Sequence, residues 1–144
     1  MTAAVSIVAT RRDKEVSQGA FAFAEFEAAA VTMDNSGVQT IVDLDVTGLT
    51  RICVQLVVAT ATLAAFQISA FVHNRATAAV VLKSTTAQFT APSGVLIDAS
   101  GDLTGQVAGS AGWFVLNVAG FSTIRLSANS TAGASTLAIF ANGV

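Results

Sequence analysis

The sequence is 144 residues long with a formal net charge of −2; 53% of its residues are apolar, 11% are charged, and one is cysteine. That length holds one core of ordinary size and leaves no room for a second. The lone thiol rules out an internal disulfide framework and suits a reducing cytosol, and the seven scattered basic residues offer no stripe for nucleic-acid phosphates.

The first segment, residues 1–37, has a character of its own. Arg11-Arg12 follow the first apolar residues, which reverses the order of a signal peptide, so no export signal is expected. Arg11, Arg12, Asp13, Lys14, Glu15, Glu25 and Glu27 supply seven of the sixteen charges. Phe21 and Phe23 alternate with alanines before the phase breaks through Glu25, Phe26 and Glu27. Two readings stand side by side: an arm that packs Phe21, Phe23 and Phe26 on a neighbouring subunit, with residues 11–15 as an exposed hinge, or an extra strand of the body.

Residues 38–144 read as a β-sandwich domain. Val42, Leu44 and Val46 alternate with Asp43 and Asp45, and after Thr47-Gly48 the residues Ile52, Val54, Leu56 and Val58 alternate with Arg51, Cys53 and Gln55. This is the period of two that marks strands, here joined by a tight hairpin turn. Phe66, Ile68, Ala70 and Val72 continue the pattern, with Gln67, Ser69, Phe71 and His73 on the other face, and residues 79–82 start a further apolar segment. The apolar runs are broken by Gln55, Gln67, Ser69 and Lys83, well short of the roughly 18–20 residues that a membrane-spanning helix needs.

Thr85 to Gly112 is rich in Ser, Thr, Gly and Asp and holds Pro92, so it reads as loop with a short strand at 95–98. Strands at 113–118 and 122–127 follow in hairpin style around Ala119-Gly120, and a last one spans 135–140. Seven or eight short strands with regular turns predict an all-β, jelly-roll-like sandwich of two sheets. Val46-x-Gly48-Leu49-Thr50-x-Ile52-x-Val54 is matched by Val118-x-Gly120-Phe121-Ser122-x-Ile124-x-Leu126, an internal echo that two Greek-key halves would accommodate.

Catalytic chemistry needs converging groups, and with one histidine, one cysteine and no tyrosine the inventory is thin. His73 lacks a nucleophile elbow to serve. Cys53 reads as a small apolar filler despite Arg51 on its face. Asp43 and Asp45 provide too few oxygens for calcium, so they are expected to be solvated or paired with Arg51; Asp98 and Asp102 read as turn formers. The expectation is a non-enzyme without metal or cofactor.

From Val46 onward the only charges are Arg51, Arg75, Lys83, Asp98, Asp102 and Arg125. So sparse a set suits burial against partner subunits better than a free surface. A sugar-binding module is the competing use of such a fold, with Trp113 as its one indole platform. Val46-Thr-Gly-Leu-Thr-Arg-Ile-Cys-Val-Gln-Leu56, Thr90-Ala-Pro-Ser-Gly94 and Gly112-Trp-Phe-Val-Leu-Asn-Val-Ala-Gly-Phe-Ser122 resemble small β-sandwich proteins of tailed bacteriophages, the capsid decoration or cement proteins. The resemblance implies a homo-oligomer, with a trimer favoured, made in the host cytoplasm. It would sit on the outer face of the capsid and clamp the major capsid protein, with no nucleic-acid or membrane partner; a head fibre or tail component is the alternative. Candidate contact residues are Phe21, Phe23, Phe26, Arg51, Phe71, His73 and Trp113.

Overall fold

In Arg51–Val58 every second side chain, Ile52, Val54, Leu56 and Val58, is buried while Arg51, Cys53, Gln55 and Val57 face outward. This is the signature of a strand with one dry face. The computed structural model describes residues 7–17, 20–58, 63–72, 80–90, 96–98, 101–102, 111–131 and 135–144, and among them all regular structure is strand. In chain order these are β1 (Ile7–Val8), β2 (Thr10–Ser17), β3 (Ala20–Met33), β4 (Gln39–Asp45), β5 (Arg51–Val58), β6 (Leu63–Phe71) and β7 (Val80–Val81). They continue as β8 (Lys83–Ser84), β9 (Thr86–Thr90), β10 (Leu96–Asp98), β11 (Gly101–Asp102), β12 (Ala111–Asn117), β13 (Thr123–Ser130) and β14 (Ser135–Gly143).

Two sheets face each other across the core: a small one ordered β1-β4-β13-β6-β7 and a large one ordered β10-β9-β12-β5-β14-β3-β2, with β8 and β11 as a separate short ladder. The pairings are antiparallel apart from β1 with β4. Phe66 of the small sheet meets Phe114 of the large one edge to face, centroids 5.5 Å apart at 66°, an arrangement the ring quadrupoles favour. Around them Met33, Ile41, Leu44, Leu56, Phe89 and Ile124 are fully buried. The molecule is the all-β, two-sheet sandwich of the jelly-roll kind, since β4, β5 and β6, and again β12, β13 and β14, change sheet at every step.

That alternation corrects one expectation. β4 and β5 do not form a hairpin, and neither do β12 and β13; each pair straddles the core. The cause lies in the turns. Leu49 N–H donates to the Val46 carbonyl at 2.9 Å, and Phe121 N–H to that of Val118 at 3.0 Å. Gly48 and Gly120, third in each turn, take φ of +80° and +87°. These are type II positions, whose geometry splays flanking strands instead of pairing them.

The echo between the turns is a structural repeat. Leu44 pairs with Ile124 and Val42 with Leu126 in the small sheet, while Leu116 pairs with Ile52 and Phe114 with Val54 in the large one. Each large-sheet pair is the small-sheet pair shifted along the chain by the same interval, with the sheets exchanged.

The choice between arm and strand falls to the strand for the described part of residues 1–37. The segment 21–27 lies inside β3, paired with β14, and Ala24 and Phe26 are buried at 0% and 3% exposure. The charged run 11–15 is no hinge but belongs to the edge strand β2, where charge blunts pairing with foreign strands. Arg11 fastens it down: its Nη1 donates to the carbonyls of Asp45 at 3.0 Å and Thr47 at 2.9 Å. The polar region after Thr85 also holds more strand than expected, because β9 buries Ala87 and Phe89 against the core.

Candidate functional site

Two surfaces stand out. The first is the end of the sandwich where the two repeated turns meet. Val46 N–H donates to the Ser122 carbonyl at 3.0 Å, and Val118 N–H to that of Thr50 at 2.8 Å, so the turns hold each other. Between them lies an open cleft of about 440 Å³ lined by Thr47, Gly48, Leu49, Thr50, Val72, Ala119, Gly120, Phe121 and Ser122, none of them charged. Val72 is 64% exposed. Next to it runs the edge strand β7, whose Val80 pairs with Ala70 and is 46% exposed, with Val81 at 48%.

The second surface is the outer face of the large sheet. Cross-strand register aligns Gln88, Trp113, Gln55, Phe140, Glu27 and Thr10 in one row, and Thr86, Val115, Cys53, Asn142, Glu25 and Arg12 in the next. Trp113 is 36% and Phe140 38% exposed. They rim an open cleft of about 400 Å³ whose floor and walls include Gln55, Cys53, Asn142, Glu25 and Arg12. Lys14 Nζ lies 3.7 Å from Glu25 Oε2 at the edge of this face.

The expected contact residues divide between surface and interior. Trp113 and Arg51 are exposed, and Phe23 is half-buried. Phe26 belongs to the core, and Phe71 is 4% exposed because the Arg125 guanidinium lies over its ring at 5.2 Å. His73 and the Phe21 side chain lie outside the described residues. The sheet-face partners Phe140, Gln55 and Asn142 were not singled out in the sequence; Phe140 shares the outward phase of Asn142 in β14, which is the signal that could have found it.

The acidic residues also sit differently from expectation. Asp43 is buried, not solvated, and pairs with Arg125 instead of Arg51: Nε donates to Oδ1 at 2.9 Å and Nη2 to Oδ2 at 3.2 Å. The hydrogen bond to Asp43 holds the Arg125 guanidinium above its usual value. Asp45 Oδ1 faces Arg11 at 3.7 Å. Asp98 ends β10 and Asp102 lies in β11, opposite Lys83. Cys53, expected as a core filler, is exposed, and partial burial pushes its thiol up, which is the wrong direction for a nucleophile. Among the described residues no three His, Cys, Asp or Glu side chains cluster as a metal site, and no helix is long and apolar enough to cross a membrane.

No protein-family model and no curated protein matches the chain. Among solved structures it is similar in fold to the PBSX exported protein XepA, with a TM-score of 0.55 at 15% identity over 90% of this chain and 42% of XepA. The chain thus spans less than half of that protein. The SPBc2 prophage-derived protein YomS aligns with a TM-score of 0.47 at 12% identity over 82% of this chain and 94% of YomS. A carbohydrate-binding module of the β-sandwich superfamily reaches 0.36 at 10% identity, over 96% of this chain and 52% of that one. At such identities the likeness is one of fold.

Proposed function

We propose that the chain is a structural subunit of a bacteriophage particle, a capsid decoration protein that works through protein–protein contacts and carries out no catalysis. The observation that carries this reading is the cleft between the turns, whose lining holds no charged residue, together with exposed Val72 and the edge strand β7 with exposed Val80 and Val81. An exposed edge with apolar side chains is a template for pairing with another chain, and Val72, Val80 and Val81 supply such side chains here. The resemblance of residues 46–56, 90–94 and 112–122 to decoration proteins is in keeping with this reading. The subunit would sit on the outer surface of the capsid against the major capsid protein, as a homo-oligomer, with a trimer favoured.

The test is co-sedimentation with particles stripped of this protein, alongside light scattering coupled to size exclusion. Val72→Asp and Val80→Asp place a charge on the proposed contact without touching the core. Both variants should keep the wild-type melting temperature and lose attachment or self-association. Wild-type protein that stays monomeric and fails to sediment with particles sinks the proposal.

A further inference from the structure

We propose that the outer face of the large sheet binds an uncharged glycan, with Trp113 and Phe140 as stacking platforms. This site is separate from the turn end and does not depend on attachment to a capsid. Trp113 and Phe140 lie in one register row on either side of Gln55, two strand spacings or roughly 10 Å apart. Both rings are more than a third exposed beside the cleft of about 400 Å³, within the size range of ligand sites.

The composition of the face selects the ligand class. The faces of the aromatic rings carry negative potential and attract the slightly positive C–H face of a pyranose ring. Gln55 and Asn142 each bring an amide donor and acceptor, and Glu27 a carboxylate acceptor, which suits adjacent hydroxyl groups. A lipid is disfavoured by this polar surround. The two carboxylates, Glu25 and Glu27, are balanced by the Arg12 guanidinium and the Lys14 ammonium that lies 3.7 Å from Glu25, so the face holds no surplus of positive charge for a phosphate or an acidic sugar and suits a neutral one. The rows extend from β9 to β2, a span of roughly 24 Å that a chain of several sugars fills better than one sugar does.

Trp113 is the sole tryptophan, so its fluorescence reports on the site directly. The probes are cello-, xylo-, manno- and chito-oligosaccharides, with a heparin oligosaccharide as the acidic control. At least one neutral series should shift the emission saturably, and the acidic control should not. By calorimetry, Trp113→Ala should lose the binding and Phe140→Ala should weaken it on the order of tenfold, with both melting temperatures unchanged. Gln55→Ala, which removes no ring, should weaken binding as well. The proposal is overturned if all neutral series are silent in both assays, if Trp113→Ala binds normally, or if the acidic control binds best.

Discussion

Val46 and Val118 occupy equivalent places in two turns that brace each other, the amide of Val46 donating to Ser122 and that of Val118 to Thr50, at 3.0 and 2.8 Å. The reciprocity makes a quantitative demand on Gly48 and Gly120. A Cβ at either position meets nothing within 4 Å, yet both hold φ in the left-handed region, +80° and +87°. Gly48→Ala and Gly120→Ala should therefore each cost about 1–2 kcal/mol through backbone strain alone. Asn at either place should cost less. Urea unfolding of the two alanine variants checks this: unequal losses would mean that the turns are alike in geometry but not in load.

Asp43 and Arg125 join neighbouring strands of the small sheet by a two-point contact, with the carboxylate side chain 6% and the guanidinium side chain 29% exposed. Arg125→Ala should destabilise by about 3 kcal/mol, because it leaves a buried carboxylate without its cation. It also uncovers Phe71. Replacing both partners by leucine should recover most of that loss, as apolar substitutes for buried ion pairs commonly do. Thermal melts of the two single variants and the double variant test it. A double variant as weak as Arg125→Ala would show that the pair is worth more than its desolvation.

The alternation of β5 was legible residue by residue, because a strand with one wet and one dry face writes its period into the chain. The strands at Gln39–Asp45, Leu63–Phe71, Thr123–Ser130 and Ser135–Gly143 were visible for the same reason. Partnership was less visible: Gly48 announces a turn, but whether the next strand pairs beside β4 or crosses the core depends on a turn geometry that glycine alone does not specify. Asp43 misled because the outer face of β4 is covered by a cation from a strand distant in sequence. Strand β2 was hidden by its charges, since an edge strand needs no buried face to be held. The outer-face site was half legible: Trp113 was visible, but its neighbours Gln55 and Phe140 come from strands whose order only the fold reveals.

Asp34 closes the connection between β3 and β4. Its carboxylate accepts from the Ser36 amide at 2.9 Å, from the Ser36 hydroxyl and from the Gln39 amide, and these bonds, Ser36 foremost, hold it below the usual carboxylate range. A depressed folded-state value means that the unfolded chain takes up the proton first. The stabilisation is therefore present above the ordinary value of about 3.9 and is lost as pH falls from there toward the lower folded value. Asp34→Asn should flatten the acid limb of a plot of stability against pH while leaving its neutral region less affected. An acid limb identical to wild type would place the pH dependence in other carboxylates.

Removing residues 1–27 should abolish cooperative folding. The deletion takes β1 with its pairing to β4, β2, and the half of β3 that pairs Ala24 with Gly143, Phe26 with Ala141 and Glu27 with Phe140. It discards the Arg11 contact to the Asp45–Thr47 turn and the buried side chains of Ala24 and Phe26. Phe26 alone contributes roughly 1.5–3 kcal/mol by burial, a large share of the 5–15 kcal/mol typical of a domain. The Phe140–Gly143 end of β14 would also be left with an open edge where the sheet was continuous, an invitation to aggregate. Circular dichroism melts and sedimentation of the shortened chain, beside a full-length Phe26→Ala variant expected to lose about 3–5 kcal/mol, provide the check. A shortened chain that melts cooperatively within a few degrees of full length would show the N-terminal strands to be a separable arm, docked on the sandwich without holding it together.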